Sequence, residues 1–131
     1  MKKLKGKVIY PGNVKGKALV TYEPIGLYGG IDAKTGIITQ HEHPLRGQSV
    51  AGKILVFPHG IGSTVGSYIL FQLRKNKVAP IGIIVEEAEP IIAVGAVISK
   101  IPTIHEVNIK EIENGKIVEI KENGEIIVYG E

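Results

Sequence analysis

Cysteine and tryptophan are absent from this 131-residue chain. Without cysteine, the chain forms no disulfide, offers no thiolate nucleophile and holds no thiolate-bound metal cluster of its own. Aromatic residues make up only 5% of the sequence, whereas a hydrophobic fraction of 44% is rich in Ile and Val. Such a β-branched composition favours sheet, and the length fits a single domain spanning residues 1–131.

Long hydrophobic runs are also missing. Apolar stretches such as residues 80–85 are far shorter than the roughly 20 residues that a membrane-spanning helix requires. The N-terminus is basic, but no apolar segment follows it as it would in a secretion signal. We therefore expect a cytoplasmic protein with no membrane association.

The basic charge is unevenly distributed, with an excess at the N-terminal end of the chain. The net charge is +3, and six lysines lie within the first seventeen residues. These lysines are not accompanied by an arginine cluster or by stacking aromatic residues, which a nucleic-acid-binding surface would be expected to carry. A solvated lysine face is the better interpretation, so we expect no nucleic-acid partner.

The hydrophobic pattern predicts a mixed α/β domain. The apolar spacing predicts a helix over residues 63–76 and favours a second over 90–100. Two Glu-Asn-Gly segments, residues 113–115 and 122–124, predict tight hairpins. Strands are expected over 7–10, 16–22, 36–40, 49–58, 81–85 and 102–104. These elements fit a compact, barrel-like sheet flanked by two or three helices.

Residues 57–68 carry the densest chemical signal. A buried strand enters a glycine-rich turn, and the turn leads into a helix at Ser63 and Thr64. The unpaired N–H groups and dipole of a helix N-terminus favour phosphate or carboxylate. A serine that merely caps the helix is the alternative. The spacing matches neither a G-x-S-x-G nucleophile elbow nor a phosphate-binding P-loop.

Four spaced motifs resemble the small subunit of aconitase X. They are DAKTG at residues 32–36, HPLRGQSVAGK at 43–53, PHGIGST at 58–64 and PIGII at 80–84. The resemblance covers nearly the whole chain and implies the swivelling β/β/α fold. It also implies a large-subunit partner whose cysteines hold an iron–sulfur cluster, expected to be of the four-iron four-sulfur type.

The activity implied by this resemblance is dehydration of (R)-5-phosphomevalonate to trans-anhydromevalonate 5-phosphate in isoprenoid synthesis. The resemblance further implies that the cluster iron would act as a Lewis acid on the leaving hydroxyl and that Ser63 would accept the carbon-bound proton as an alkoxide. In aconitase the corresponding serine is followed by a second serine and an arginine, but here Thr64 and Val65 stand there. This departure weakens citrate as a substrate without identifying phosphomevalonate, so another small hydroxy acid remains an alternative.

The further substrate-binding candidates are Gly62, Thr64, Arg46, Asp32 and His59. The guanidinium of Arg46 suits a carboxylate or phosphate. The alternative interpretation is an arginine that is exposed at the surface and has no role in the site. Asp32 fits an Asx turn as well as a site.

Other polar residues have plainer explanations. Glu86, Glu87 and Glu89 follow a predicted buried strand and are interpreted as loop residues. His41 and His43 are spaced like two metal ligands but lack a third, so we expect no metal site in this chain. Two rival functions remain open, a non-catalytic swivelling or assembly module and a stand-alone binder of phosphorylated ligands.

Overall fold

The computed structural model describes residues 1–62 and 64–130. Its short, β-branched segments form strands, and its longer segments with helical apolar spacing form helices. One of the helices, α1, is a single kinked turn, because Tyr28 and Gly29 have non-helical backbone angles. The elements in chain order are β1 (Lys2–Lys5), β2 (Lys7–Tyr10), β3 (Val14–Val20), β4 (Ile25–Gly26), α1 (Leu27–Gly30), β5 (Ile54–Phe57), β6 (Gly60–Ile61), α2 (Gly66–Lys75), β7 (Gly82–Val85), α3 (Pro90–Ser99), β8 (Thr103–His105), a 3₁₀ turn (Ile109–Glu111), β9 (Ile117–Ile120) and β10 (Glu125–Val128).

Within the described residues, eight strands form one barrel-like sheet in the order β1-β10-β9-β3-β5-β7-β8-β2. Strands β3, β5, β7 and β8 run parallel, and the remaining pairs are antiparallel. The two edge strands, β1 and β2, are consecutive and are joined by Gly6. A Cβ at Gly6 would lie 2.5 Å from Cγ2 of Ile104 and 2.6 Å from the carbonyl oxygen of His105. The absence of a side chain there lets one bent strand bring the two edges together.

Two hydrophobic cores lie on opposite faces of the parallel strands. Neighbouring residues of β5 alternate between them: Ile54 and Val56 face the inside of the barrel, and Leu55 and Phe57 face the helices. Because β5 and β7 are buried on both faces, they consist entirely of apolar residues and glycine. The outer core contains Ile69, Leu70 and Leu73 of α2 and Ile91 and Ile92 of α3.

This architecture confirms the predicted mixed α/β fold, but the strand expected over residues 36–40 is wrong, since Ile37 and Ile38 form only isolated bridges. Several element boundaries also differ from prediction. Helix α2 begins at Gly66 rather than at residue 63, with Thr64 and Val65 forming a turn before it. The hairpin expected at residues 113–115 is wrong, because a 3₁₀ turn and not a strand precedes it. Strand β1 had no sequence signal, since three of its four residues are lysine.

Two smaller structural findings complete the fold. Strands β4 and β6 form a separate two-stranded parallel sheet, which lies at the candidate site described below. Over residues 1–62 and 64–130, none of the helices has the length and apolar character needed to cross a bilayer.

Candidate active site

The glycine-rich turn after β5 is fixed by backbone hydrogen bonds on two sides. On one side, β4 pairs with β6, and the N–H of Ile25 donates to the carbonyl of His59 at 3.2 Å. On the other side, the N–H groups of Glu86 and Glu87 both donate to the carbonyl of Pro58 at 3.1 Å. The turn is therefore held between β4 and the segment that follows β7.

The end of this turn leads directly into α2. Gly62 has φ 102°, a left-handed conformation that glycine adopts without steric cost. The carbonyl of Thr64 accepts hydrogen bonds from the N–H of Ser67 at 3.2 Å and from its Oγ at 2.8 Å. Ser67 is therefore used to secure the start of the helix. Ser63, the predicted proton acceptor, lies outside the described residues.

The start of α2 is packed tightly against its neighbours. A Cβ at Gly66 would lie 3.2 Å from Cγ2 of Ile91 and 3.3 Å from Cβ of Leu27. A Cβ at Gly95 of α3 would lie 2.8 Å from Cδ1 of Leu70. These close approaches fix the first turn of α2, whose N–H groups and dipole favour an anion at this point.

His59 and Glu89 lie beside the turn. Nδ1 of His59 donates to the carbonyl of Gly60 at 2.9 Å, which leaves Nε2 as an acceptor in the neutral ring. Oε1 of Glu89 is buried with no hydrogen-bond partner and lies 3.3 Å from where a Cβ of Gly60 would be. Burial raises the pKa of the Glu89 carboxyl, against the opposing effects of the Ile92 N–H, His59 and the Gly60 N–H.

The structure does not bring every predicted residue to this turn. His59, Gly62 and Thr64 belong to it. Asp32 is exposed, and its Oδ1 accepts from the N–H of Lys34 at 2.9 Å in an Asx turn. The adjacent carbonyl of Ala33 accepts from Nδ2 of Asn76, at the C-terminal end of α2. A ten-residue helix is about 15 Å long, so Asp32 lies at the far end of α2 from the turn.

Arg46 lies on the loop that connects α1 to β5. Its side chain is exposed, and Nη1 lies 3.4 Å from Nδ1 of His41. His43 on the same loop is buried, and its Nδ1 accepts from the N–H of Leu45 at 3.0 Å. This interaction places the proton of the neutral ring on Nε2. Arg46 is thus free to meet an anion from solvent, whereas His43 shapes the loop.

Two residues next to the turn were missed as site residues by the sequence interpretation. Gln40 had no motif to mark it, yet its Oε1 accepts from the N–H of Gly26 in β4 at 2.8 Å. Glu89 was interpreted as a loop residue because it follows a strand. Its position directly before Pro90, which begins α3, marks it as a helix N-cap. Only the tertiary fold brings it to Gly60.

The residues at hand do not fit a metal or a metal cluster. Across the described part of the chain, no three His, Cys, Asp or Glu side chains come together as ligands, and the full sequence has no cysteine. A cavity of about 420 Å³ contacts Arg74 and Lys77 near the C-terminal end of α2 and includes no residue of the turn. Ile61, Gly62 and Thr64 of the turn are exposed, whereas Pro58 and Gly60 are buried.

Comparison with known proteins gives a consistent result. The family model described as the aconitase X swivel domain matches residues 3–129. The chain is 50% identical over 127 residues to the phosphomevalonate dehydratase small subunit of Thermococcus sibiricus, covering 96% of this chain and 98% of that protein. It is also 50% identical over 130 residues to the subunit of the same name from Pyrococcus horikoshii, covering 98% and 97%.

Solved structures agree with these sequence relatives. The crystal structure of Thermococcus kodakaraensis aconitase X in its holo-form superposes with a TM-score of 0.97 at 46% identity, covering 99% of this chain and 100% of that one. A second neighbour, solved by solution NMR, has a TM-score of 0.89 at 44% identity and covers 98% and 100%. The chain belongs to the aconitase X swivel-domain family.

Proposed function

We propose that this chain is the small subunit of a two-subunit hydro-lyase that dehydrates (R)-5-phosphomevalonate to trans-anhydromevalonate 5-phosphate in the mevalonate route to isoprenoids. One observation carries the proposal: relatives named phosphomevalonate dehydratase small subunit are about half identical to it over nearly its whole length. The chain acts as one swivelling domain in a cytoplasmic enzyme.

Ser63 is the proposed proton acceptor. It lies in sequence between Gly62, which has the left-handed conformation, and Thr64, which begins the turn into α2. As an alkoxide it takes the proton from the substrate carbon next to the carboxylate, and the hydroxyl leaves from the adjacent carbon. Oriented N–H groups at a helix N-terminus stabilise such an anion when water is excluded.

The proposed substrate contacts are made by residues of the turn and by Arg46 on the loop before β5. Gly62 and Thr64 offer backbone N–H groups and a hydroxyl to an anion. His59 offers Nε2, which is an acceptor in the neutral ring and therefore suits a hydroxyl group of the substrate. Arg46 is exposed and is available for a phosphate or carboxylate. Asp32 is the weakest of the candidates, because it lies at the opposite end of α2 and already accepts a local hydrogen bond.

The iron–sulfur cluster belongs to the large subunit in this proposal. The chain has no cysteine, so the thiolates of a four-iron four-sulfur cluster must come from the partner. The cluster supplies the Lewis acid that this chain lacks. The small subunit alone is therefore expected to have no dehydratase activity.

A strip of exposed apolar side chains beside the turn is the proposed contact surface for the large subunit. Val65, just before α2, and Tyr68 and Phe71 on α2 recur at three-residue intervals. Tyr28 and Ile61 lie near the start of the helix. Each exposes between 43% and 64% of its surface, which is unusual for a cluster of large apolar residues unless another surface covers them. Since the strip adjoins the turn, docking there brings the turn to the partner's cluster.

The test uses the complex of this chain with its large subunit, purified anaerobically and assayed with (R)-5-phosphomevalonate. Ser63→Ala is expected to lower kcat by at least about a hundredfold, while Ser99→Ala, which removes a buried hydroxyl of α3, leaves kcat unchanged. Full turnover by Ser63→Ala would contradict the role of Ser63. Turnover of a different hydroxy acid only would contradict the substrate.

The contact surface has a matched test of its own. Tyr68→Asp on α2 is expected to abolish co-purification with the large subunit, whereas Val97→Asp on the exposed face of α3 leaves it intact. Val97 is 50% exposed, so both changes place a charge on an exposed apolar position. The reverse result would move the contact surface to α3.

A further inference from the structure

Glu89 contacts the glycine-rich turn from the side opposite β4. It precedes α3, and its carbonyl accepts the N–H of Ala93 at 3.0 Å, which begins the helix. The same segment supplies the N–H groups of Glu86 and Glu87 to the carbonyl of Pro58. Glu89 is therefore held by the backbone in a fixed position beside residues 58–60.

The carboxyl of Glu89 lies close to the backbone of Gly60. Gly60 does not have a positive φ, so its backbone angles alone do not require glycine. A Cβ on Gly60 would lie 3.3 Å from Oε1 of Glu89 and 3.3 Å from Cδ1 of Ile92. A Cβ there would require Glu89 or Ile92 to shift by a few tenths of an ångström, and the short distance places the Glu89 carboxyl against the backbone of the turn.

The electrostatic state of this carboxyl is unusual for an acid at a helix start. Oε1 is buried and lacks a hydrogen-bond donor, and an unpaired buried carboxylate oxygen is costly. Burial raises the pKa of Glu89, while the Ile92 N–H, positive charge on His59 and the Gly60 N–H act in the opposite direction. A proton, or a small shift of the turn that brings an N–H group closer, satisfies this oxygen.

The charged surroundings of Glu89 are limited. His59 is the titratable side chain that the turn presents, and Ile25 and Gly26 of β4 are uncharged. Glu86 and Glu87, on the same segment as Glu89, are exposed. The first turn of α3 contributes its N–H groups, which favour the charged carboxylate. The protonation state of Glu89 is thus coupled to the N–H of Ile92 in α3, to the charge on His59 and to the turn backbone.

We propose that Glu89 is a positioning residue for the reaction, holding Gly60 and His59 and through them the residues that lead to Ser63. The proposal rests on the function proposed above, because it takes this turn as the active-site turn. Glu89 does not contact substrate in this role. Glu89 determines how firmly the turn is held in place, and protonation of its carboxyl changes how firmly the turn is held.

The first experiment measures turnover in the two-subunit complex. Glu89→Ala is expected to lower kcat by about tenfold to a hundredfold with a smaller change in KM, because displacement of a reacting group by about 1 Å has effects of this size. Glu89→Gln keeps the shape but loses the titration, so the pH profile of kcat should change on its acidic side. Glu87→Gln, an exposed acid of the same segment, is the matched control and should behave like the wild type.

The second experiment needs no activity. In the isolated, isotope-labelled chain, the carboxyl carbon signal of Glu89 gives its pKa, and the amide signal of Gly60 should titrate with the same midpoint. This component should disappear in Glu89→Gln and persist in His59→Gln. A Gly60 amide that titrates in the same way in Glu89→Gln would overturn the proposal.

The two experiments separate the two proposals. If the wild-type complex fails to dehydrate phosphomevalonate, the proposed function is wrong, and the NMR titration still decides the coupling of Glu89 to the turn. If Ser63→Ala abolishes turnover but both Glu89 variants keep the wild-type kcat and pH profile, Glu89 has no positioning role and the proposed function stands.

Discussion

The side chain of Gln40 holds the backbone of Gly26: its Oε1 accepts the Gly26 N–H at 2.8 Å. Gly26 pairs with Ile61 in the small parallel sheet at the turn. A Cβ at Gly30 would lie 3.0 Å from the same Oε1. The side-chain amide of Gln40 is therefore packed against the same chain segment, residues 26–30, whose backbone it holds. One side chain thus supports the β4 side of the candidate site.

Replacing Gln40 by Leu should therefore weaken both the fold and the site. The half-buried N–H of Gly26 loses its acceptor, which costs less than the about 1–3 kcal/mol of a fully buried donor. We expect lower stability in urea denaturation and a reduced kcat in the two-subunit complex. Gln48→Leu, at an exposed position of the same loop, is the control, and equal effects from both variants would argue against a specific role for Gln40.

Gly6 should not tolerate a methyl group. An Ala side chain would lie 2.5 Å from methyl carbons of Ile104 and Val107 and 2.6 Å from a backbone oxygen, so the barrel must shift to accept it. Overpacking of this kind costs about 1–3 kcal/mol, more than the stabilisation that Gly→Ala gains through the unfolded chain. Thermal denaturation of Gly6→Ala, with Lys5→Ala as the control, measures this loss of stability. An unchanged Tm for Gly6→Ala would mean that the barrel edges pack less tightly at Gly6 than these distances indicate.

Removing either of two buried hydroxyls near the end of α3 should have different effects on the stability of the protein. Oγ of Ser99 is buried without a hydrogen-bond partner, whereas Oγ1 of Thr103 donates to the carbonyl of Ile101 at 2.8 Å. Ser99→Ala should be neutral or stabilising, because it removes an unsatisfied polar group. Thr103→Val should lose about 1 kcal/mol in the free energy of unfolding. Denaturant titrations of both variants measure these free energies of unfolding. A destabilised Ser99→Ala would reveal a hydrogen-bond partner for that hydroxyl.

A tyrosine–glutamate pair makes stability depend on pH at both extremes. The Tyr129 hydroxyl donates to the Glu119 carboxylate at 2.6 Å. This bond is the main cause that lowers the pKa of Glu119 below 4.5 and raises the pKa of Tyr129 above 10.0. The Glu119 contribution is present above its unfolded pKa and is lost as pH falls through the folded value. The Tyr129 contribution is present below its unfolded pKa and is lost as pH rises through the folded value.

The difference in Tm between wild type and Tyr129→Phe should accordingly be largest between about pH 5 and pH 10 and shrink on either side. Tyr28→Phe, an exposed tyrosine on α1, should show no such dependence. A Tyr129→Phe difference that stays constant from acid to alkaline pH would show that the hydrogen bond does not couple the two titrations.

The main parallel strands and both long helices could be predicted from the sequence, because their patterns are local. Residues 54–57 and 82–85 are continuous apolar runs, and α3 begins at a proline as first helical residue. The hairpin at residues 122–124 is confirmed by the antiparallel pairing of β9 with β10. The fold class and the family followed from these segments and from the spaced motifs.

What could not be predicted depends on contacts distant in sequence. Strand β1 exists because its backbone pairs with β10, and its lysines gave no apolar signal. Asn114 resembles a hairpin residue, but its side chain accepts the N–H of Val20 at 2.8 Å, so that turn joins β3 instead. Gln40 and Glu89 were missed because only the folded chain brings them to β4 and Gly60.

The placement of β9 and β10 between β3 and β1 has a consequence for biosynthesis. Residues 117–128 leave the ribosome after all the other strands, yet they pair on one side with Val14–Val20 and on the other with Lys2–Lys5. A nascent chain can assemble the central parallel strands and the helices before β10, the strand with which β1 pairs, has been synthesised. The barrel is completed only after synthesis of its last hairpin, and such sequence-distant pairing is slow.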